Sequence, residues 1–363
     1  MLYASFEKLE SFMKDVFIKA GVPAEDAAVC ADVLIESDKR GIDSHGVGRF
    51  KPIYIDRIKD GIQNSVTNFE IVKDHLATAV VDGHDGMGQV IGKRCMQMAI
   101  DKAKKHGLGM VVARNSTHYG IAGYYATMAA KENMIGITGT NARPSIAPTF
   151  GIDNMLGTNP LTFGIPTDED FPFVLDCATS VSQRGKIEHY DRINKKMPEG
   201  WVINRDGSSE TDPSKALAGL TADTCALAPL GGLGEDGAGY KGYGYAAVVE
   251  ILSAALQQGQ FLKALNGLDA DGKKSPYHLG HFFMAVDINA FTEPQKFKKT
   301  AGDILRDLRA SAKAPGQPRI YTAGEKEYLA FLDRKDKGVP LNESLLKTLN
   351  ALIKEYGLSQ YQF

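Results

Sequence analysis

Apolar residues recur at helical spacing through the first part of the chain. They fall every three or four positions over residues 6–17 and 24–38, which predicts two amphipathic helices. A third helix is expected to begin at Asp43 or Ser44, since either side chain can cap it, and to end near Gly61. The N-terminal region is therefore predicted to be helical.

Beyond residue 70 the pattern changes to short runs of β-branched and aromatic residues, which are typical of strands. These runs cover residues 69–72, 78–82, 109–113, 135–140, 161–165 and 173–176. Helical spacing returns between strands, at residues 90–105 and 123–132. The alternation predicts an α/β protein with a mixed, partly parallel sheet.

The rest of the chain mixes loops with helices. Residues 200–245 are rich in Gly, Pro, Asp and Ser, which predicts long loops over a site or an interface. The segments that follow are predicted as helix 245–258, strand 282–288, helix 294–311, an extended arm 314–322 and a last helix near 341–356. We predict that residues 1–72 and 292–363 form one discontinuous helical domain, wrapped around an α/β domain of residues 73–291.

Composition and charge remove several classes of function. The chain has 363 residues, enough for about two domains. Of these residues, 43% are hydrophobic and 24% are charged. The 42 Lys and Arg against 44 Asp and Glu leave a net charge of −2, with no basic excess for binding nucleic acid. An apolar run such as residues 246–256 contains Glu250 and is too short to cross a membrane.

The cysteines are too far apart to indicate a disulfide framework or a metal site. They are Cys30, Cys95, Cys177 and Cys225. The first residues mix Glu, Lys and Asp into an apolar pattern, unlike a secretory signal. We therefore expect a reducing, cytoplasmic location and no bound metal.

Glycine-rich runs raise the question of a Rossmann dinucleotide site. The run 232–237 has the spacing of the Rossmann fingerprint, but it follows a predicted loop rather than a strand. Gly86 and Gly88 lie between a predicted strand and a predicted helix, although the third glycine, Gly92, comes one residue late. A Rossmann-type reductase that uses Gly86 and Gly88 is one alternative.

The segment from Ser44 to Tyr54 could hold a small carboxylate. His45 and Arg49 are four residues apart and would share one face of the predicted third helix, with Tyr54 close to that face. A guanidinium binds a carboxylate through two parallel hydrogen bonds. The alternative is a solvated first turn that Ser44 caps.

His118 follows a predicted strand, at the end where α/β proteins place their chemistry. Its imidazole titrates near neutral pH and suits reversible proton transfer with a hydroxyl or a carbonyl. A polar loop histidine is the alternative.

Three more strand ends carry small, hydrogen-bonding residues that let a nucleotide or a substrate approach the backbone. These residues include Asn141, Ala142, Arg143, Thr158, Asn159, Asp176, Cys177 and Ala178.

Lys241 lies among glycines and tyrosines just before a predicted helix. That setting suits a bound phosphate or carboxylate, or else a flexible surface loop. His278 and His281 are three residues apart near a strand, so they should point to different faces. We interpret both histidines as structural.

Seven motifs follow one another along the chain. They are Ser44-His45-Gly46-Val47-x-Arg49, Asn115-Ser116-Thr117-His118-Tyr119-Gly120, Ala147-Pro148-Thr149-Phe150-Gly151, Gly157-Thr158-Asn159-Pro160-Leu161, Asp176-x-Ala178-Thr179-Ser180, Lys241-Gly242-Tyr243-Gly244 and Gly324-Glu325. As a set, over nearly the whole chain, they resemble the type-2 malate/L-lactate dehydrogenase family, which includes sulfolactate, ureidoglycolate and diketogulonate dehydrogenases.

The resemblance implies an NAD(P)-dependent oxidoreductase of 2-hydroxy and 2-keto acids, with a non-Rossmann cofactor-binding domain and a homodimeric assembly. It implies that His118 is the catalytic acid and base, with His45 as the other histidine that can take this role. The predicted substrate-binding residues are Ser44, Arg49, Tyr54, Asn141 and Arg143. The predicted cofactor-binding residues are Ala142, Thr158, Asn159, Asp176, Cys177, Ala178 and Lys241.

The sequence departs from the family pattern at four places, one of which is a polar stretch near residues 267–276 that is longer than usual. Gly48 stands where the family commonly has Asn, and Ala323 stands where it has Pro. Arg143 brings a cation into a segment that more usually reads Asn-Thr-Ser-Pro. Because this cation suits a dicarboxylate, we expect malate and oxaloacetate as substrates. We also expect NAD as the cofactor, with NADP as its alternative. Other 2-keto acids, of the lactate, sulfolactate, ureidoglycolate or diketogulonate type, and a non-catalytic binding protein are the remaining alternatives.

Overall fold

The computed structural model describes residues 2–363 and has the mixed α/β architecture that the sequence predicts. Its strands are β1 (Leu2–Ala4), β2 (Glu70–His75), β3 (Thr78–Asp82), β4 (Leu108–Ser116), β5 (Met134–Thr140), β6 (Leu161–Ile165), β7 (Phe173–Cys177), β8 (Val202–Asn204), β9 (Cys225–Leu227), β10 (Leu279–Asp287) and β11 (Val339–Leu341). Its helices are α1 (Phe6–Lys19), α2 (Ala24–Lys39), α3 (Val47–Arg49), α4 (Asp56–Lys59), α5 (Gly88–His106), α6 (Ala122–Lys131), α7 (Arg184–Arg192), α8 (Pro213–Thr221), α9 (Gly239–Ala254), α10 (Pro294–Ala310), α11 (Glu325–Lys337) and α12 (Glu343–Tyr356). A π-helical turn, Phe50–Ile55, joins α3 to α4, and 3₁₀ turns cover Leu262–Leu265 and Ile288–Ala290.

Seven strands form one open sheet in the order β2-β3-β4-β10-β5-β6-β7. Strands β3 and β4 are parallel, and the other neighbouring pairs are antiparallel. The carboxyl ends of β3, β4, β5 and β7 therefore lie along the same edge as the amino ends of β6 and β10. We call this the site edge, because the strand ends that the sequence singles out all lie there.

The antiparallel neighbours of β10 exclude the Rossmann alternative, since a Rossmann sheet is mostly parallel. Gly88, one of the glycines of that alternative, has a packing role instead. An added Cβ at this position would lie 2.3 Å from the carbonyl oxygen of Thr117 and 2.6 Å from that of His118. The glycine thus lets the start of α5 pack closely against the residues that follow β4.

Helices cover both faces of the sheet. Alternate residues of β4 point to opposite faces, so Val111 and Ala113 pack with Ile91 of α5, whereas Val112 packs with Val249 of α9. Helix α6 lies on the same face as α5. The central strands are apolar because both of their faces are buried.

Helices from both ends of the chain share a second apolar core. In it, the ring of Phe17 in α1 lies 4.9 Å from Phe50 and 6.2 Å from Tyr54, both in the π-helical turn. Leu349 and Leu352 of α12 are buried in the same core. This packing agrees with a discontinuous helical unit, while the division at residues 72/73 and 291/292 stays a prediction.

The third predicted helix begins later than expected. Asp43 and Ser44 lie in a turn and do not cap it, and helical structure starts at Val47. The carboxylate of Asp38, in α2, accepts a hydrogen bond from the Val47 N–H at 2.8 Å. The cap is therefore supplied by a neighbouring helix, which local sequence does not reveal.

The prediction of loops over residues 200–245 is wrong in part. Strands β8 and β9 and helix α8 lie there, and with α7 they form a small apolar core that contains Ile187, Val202 and Leu227. These elements are too short to show a clear period. Helix α9 begins at Gly239, so Lys241 lies inside the helix, and α11 was not predicted.

Within residues 2–363, no helix combines the length and the apolar character needed to cross a bilayer. The four cysteines are free, and only Cys177 is exposed. No three His, Cys, Asp or Glu side chains of the described part converge as metal ligands. The absence of a metal stays a prediction.

The helical core makes a first test. Phe17 is fully buried, whereas Phe291 is 77% exposed. We expect Phe17→Ala to lower the free energy of unfolding by about 3–5 kcal/mol, because it leaves a cavity beside Phe50 and Tyr54. The matched control Phe291→Ala should change it by less than about 0.5 kcal/mol. Urea unfolding measures both, and equal losses would contradict this packing.

Candidate active site

Two histidines meet where the helical core reaches the site edge. His118 follows β4, His45 lies in the turn before α3, and their nearly parallel rings are 5.7 Å apart. Tyr54 Oη lies 2.7 Å from His118 Nδ1, and Ser44 Oγ lies 2.9 Å from His45 Nδ1. Neither Nε2 atom has a hydrogen-bond partner within residues 2–363, so both are available to a ligand.

The orientation of the His118 ring depends on contacts with two elements. The backbone N–H of Gly120 lies 3.3 Å from Nδ1, and the hydroxyl of Tyr54, which comes from the helical core, lies 2.7 Å from the same nitrogen. Tyr54 is itself fully buried in the π-helical turn. Turns of this kind are frequent at functional sites. The pair of contacts fixes one ring nitrogen and leaves the other open.

Arg49 belongs to the same cluster. Its Nε donates to the Ser44 carbonyl at 2.7 Å, and its terminal nitrogens have no partner in the described part of the chain. The prediction that His45 and Arg49 share one helix face is wrong in detail, because His45 precedes the helix. The bond from Arg49 to Ser44 nevertheless keeps both side chains in one turn.

A buried acid that the sequence analysis missed holds this turn in place. Asp38 is only 1% exposed, and it is the acceptor of the Val47 N–H. An added Cβ at Gly46 would lie 2.1 Å from the Asp38 carboxylate, so this close approach needs glycine. Burial raises the pKa of Asp38 to about 8. The position of His45 and Arg49 therefore depends on a contact with α2.

Burial lowers the pKa of both histidines, because it penalises the charged ring. For His118 the positive charges of Arg57 and Arg49 lower the pKa further. For His45 the Asp176 carboxylate opposes the effect of burial, while Arg49 adds to it. Both rings are therefore neutral near pH 7 and can accept a proton.

Asp176 closes the site at the end of β7. Its Oδ2 accepts the Gly123 N–H at 2.7 Å, at the start of α6, and its Oδ1 accepts the Thr162 hydroxyl at 3.0 Å. An anionic group is favoured at a helix N-terminus. The next residues, exposed Cys177 and half-buried Ala178, lie at the open end of the strand.

The two predicted asparagines form bonds within the fold. Asn141 Oδ1 accepts the Gly280 N–H at 2.7 Å, and its Nδ2 donates to the Gln260 carbonyl at 3.2 Å. Asn159 Nδ2 donates to Glu250 Oε2 at 2.7 Å, while its Oδ1 has no partner within residues 2–363. The sequence showed Glu250 only as a break in an apolar run. The ligand-binding roles of Asn141 and Asn159 stay predictions.

The other predicted residues line the same edge. These are Ala142 and Arg143 after β5, Thr158 before β6 and Lys241 in the first turn of α9. The Leu230 N–H donates to the Thr179 carbonyl at 2.8 Å, and Gly242 packs against Leu230. Helix α9 therefore begins beside the segment that follows β7.

Arg57 is a cleft residue that the sequence analysis missed. It follows Tyr54 by three residues, which places the two side chains on neighbouring positions of one helix. It is half-buried, and its guanidinium carbon lies 4.3 Å from the ring centre of Tyr277. The three-residue spacing could have placed Arg57 near Tyr54, but its contact with Tyr277 depends on the fold.

The environments of His278 and His281 agree with a structural interpretation. His281 is buried between the hydroxyls of Thr140 and Ser116, each 2.7 Å from a ring nitrogen, and burial lowers its pKa to about 3. His278 Nδ1 lies 2.9 Å from a carboxylate oxygen of Asp85. The two histidines contact different partners, so they do not form one site.

Comparisons with known proteins agree along nearly the full length. A family model described as malate/L-lactate dehydrogenase matches residues 4–350. The malate dehydrogenase of Pyrococcus horikoshii is 44% identical over 352 residues, which cover 97% of this chain and 95% of that protein. The L-sulfolactate dehydrogenase of Methanocaldococcus jannaschii is 40% identical over 97% of each chain. The crystal structure of malate dehydrogenase from Entamoeba histolytica has a TM-score of 0.94, with 44% identity and 98% coverage of each chain.

Proposed function

The chain belongs to the malate/L-lactate dehydrogenase family, and from that premise we propose that it interconverts malate and oxaloacetate with NAD. The family makes the chain a 2-hydroxy acid dehydrogenase that works with a nicotinamide cofactor. The choice of malate rests on two relatives named malate dehydrogenase, at 44% and 43% identity, and on the cations of the cleft. The preference for NAD over NADP is part of the proposal.

The observation that carries the proposal is the convergence of His118, His45, Tyr54 and Arg49 around one opening. A hydroxy acid needs a cation for its carboxylate and a base for its hydroxyl. The free nitrogens of Arg49 supply the first, and the open Nε2 of His118 supplies the second. His45 lies parallel to His118 and can orient the substrate.

In the direction of oxidation, Arg49 binds the substrate carboxylate and neutral His118 accepts the hydroxyl proton at Nε2. Accepting a proton at Nε2 requires the neutral tautomer with its proton on Nδ1. In that tautomer the ring donates Nδ1–H to the Tyr54 hydroxyl, 2.7 Å away, and gives up the longer contact with the Gly120 N–H. In reduction, the protonated Nε2 returns its proton to the carbonyl oxygen. Tyr54 thus stabilises the ring through both protonation states.

The site edge fits a dinucleotide. Buried polar atoms without a partner in residues 2–363 occur there at Asn159 Oδ1, Ser180 Oγ and Ser182 Oγ, and exposed Lys241 suits a phosphate at the start of α9. When bound, nicotinamide accepts or supplies the hydride. The residues proposed to hold the cofactor are Ala142, Thr158, Asn159, Asp176, Cys177, Ala178 and Lys241.

Helix α9 supports the further proposal that the chain forms a homodimer. Its outer face exposes Val248 and Ile251, and Leu256 and Phe261 extend the same apolar surface beyond its end. An apolar cavity of about 620 Å³ lies beside these residues. Apolar patches of this kind mark interaction surfaces. A second copy is the proposed partner, because the chain's net charge of −2 offers little resistance to self-association.

We also propose a cytoplasmic location. Three of the four free cysteines are buried and inaccessible to pairing, and the exposed one, Cys177, lies at the site edge. Burial and the Asp176 carboxylate raise the pKa of Cys177, so its thiol stays protonated. A reducing compartment suits this state.

Removing the His118 base tests the mechanism. We expect His118→Ala to lose about 10²–10⁴-fold in kcat, while NADH still binds, because the ring contributes proton transfer rather than cofactor contacts. His106→Ala, at an exposed position at the end of α5, should be unaffected. Steady-state kinetics and a fluorescence titration of NADH measure the two effects. Near-normal turnover of His118→Ala would remove this residue from catalysis.

The lowered pKa of His118 predicts opposite pH profiles for the two directions. Oxidation needs the neutral ring, so its kcat/KM should stay level from pH 8 down to pH 6.5, the ordinary pKa of histidine. Reduction needs the protonated ring, so its kcat/KM should fall about tenfold for each pH unit above the lowered pKa. A loss of oxidation centred at or above the ordinary histidine value would contradict the assignment.

The dimer proposal predicts a particle of about twice the chain mass of 39.3 kDa. Light scattering after size-exclusion chromatography measures it. Ile251→Glu places a charge in the apolar patch and should yield monomers, whereas Glu343→Gln, at the exposed start of α12, should not. A monomeric wild-type protein would exclude the dimer.

A further inference from the structure

Arg57 is a cation that no acidic side chain of the described residues pairs with. It is half-buried in α4, and within residues 2–363 it has neither a carboxylate partner nor a hydrogen-bond acceptor. A guanidinium carries five N–H donors, and withdrawing it from water without a partner is unfavourable. Burial accordingly lowers the pKa of Arg57. The side chain is therefore prepared for a group that the protein itself does not supply.

The face of an aromatic ring holds Arg57 in position. Its guanidinium carbon lies 4.3 Å from the centre of the Tyr277 ring, a cation–π contact. Lys274 and His278 anchor the segment on either side of Tyr277, through contacts of 2.7 Å to Asp60 and 2.9 Å to Asp85. The stacking leaves the edge of the guanidinium, where its N–H groups point, free for a planar anion.

The charge of the cleft is unbalanced around this residue. Arg49 and Arg143 also lack carboxylate partners within the described chain, and both histidines are neutral. Asp176 is the carboxylate that faces His45, but its oxygens accept bonds from Gly123 and Thr162. The carboxylate of a simple 2-keto acid would neutralise one cation and leave the others unpaired.

We propose that Arg57, held on the ring of Tyr277, binds the second acid group of a dianionic 2-keto or 2-hydroxy acid. This inference rests on the proposed function, in which Arg49 binds the carboxylate next to the reacting carbon. The second group is a planar carboxylate or a sulfonate, since both present several acceptor oxygens to a guanidinium. Arg143 is exposed, so it adds positive potential at the edge of the cleft. Arg57 binds the second acid group directly, and we call this position the seat.

Substrate discrimination tests the proposal. Oxaloacetate and sulfopyruvate carry the second acid group as a carboxylate and a sulfonate, and pyruvate lacks it. For Arg57→Met, which keeps an unbranched apolar stem and removes the guanidinium, we expect kcat/KM to fall about 10²-fold for the dianions. For pyruvate it should not fall, because pyruvate has no group for Arg57 to bind, and the loss of the Arg57 charge near His118 acts on all of these substrates alike.

Three further variants separate the contribution of Arg57 from those of the Tyr277 ring and of the site for the shared carboxylate. Arg49→Lys loses the fork that binds the shared carboxylate, so it should weaken oxaloacetate and pyruvate alike. Tyr277→Leu removes the ring under Arg57 and should raise KM for oxaloacetate about tenfold with little change in kcat, while Tyr277→Phe, which keeps the ring, should retain the wild-type KM. Equal losses of oxaloacetate and pyruvate turnover in Arg57→Met, or no loss of either, would overturn the proposal.

Binding measurements keep this test independent of turnover. By calorimetry, wild-type protein should bind malate more tightly than lactate, and Arg57→Met should abolish this preference. If the wild-type protein shows the preference without turnover, the proposed reaction fails and the seat stands. If Arg57→Met keeps the full preference for malate, the seat is wrong whatever the reaction is.

Discussion

The hydrogen-bonding contact between Tyr54 and His118, 2.7 Å long, joins the helical core to the edge of the sheet. Tyr54 comes from the π-helical turn that Phe17 and Phe50 support, and His118 comes from the end of β4. Neither unit contains the site alone. The tyrosine fixes the ring nitrogen that faces the protein and leaves Nε2 to the cleft, so the proposed proton transfer depends on how these two units pack.

The electrostatics of the cleft follow from the same packing. Burial keeps His118 and His45 neutral, while Arg49 and Arg57 are positioned without carboxylate partners. Such an arrangement is unfavourable in the empty protein and becomes favourable when an anion enters. The proposed selectivity for acids therefore rests on these unpaired guanidinium groups. Asp176, the carboxylate that acts on His45, is held by the N-terminus of α6.

Much of this architecture could be predicted from local patterns. Helices α1 and α2 and strands β3 and β6 follow regular periods, and the resemblance of the motifs indicated the family. The start of α3 could not be predicted, because its cap is the Asp38 carboxylate from another helix. The importance of Arg57 was also hidden, since its lack of a partner and its contact with Tyr277 depend on tertiary packing. Local sequence therefore indicated most strands of the main sheet, several helices and the histidine proposed as the base, while the charge balance of the cleft depends on the fold.

The most direct test of the central claim is the absorbance of NADH when the purified protein meets oxaloacetate, with NADPH and pyruvate as comparisons. The account predicts rapid consumption of NADH with oxaloacetate and slower consumption with pyruvate, because the proposed site combines a histidine for proton transfer with cations for two acid groups. A protein that binds NADH but consumes neither nucleotide with oxaloacetate, sulfopyruvate or pyruvate would contradict the account.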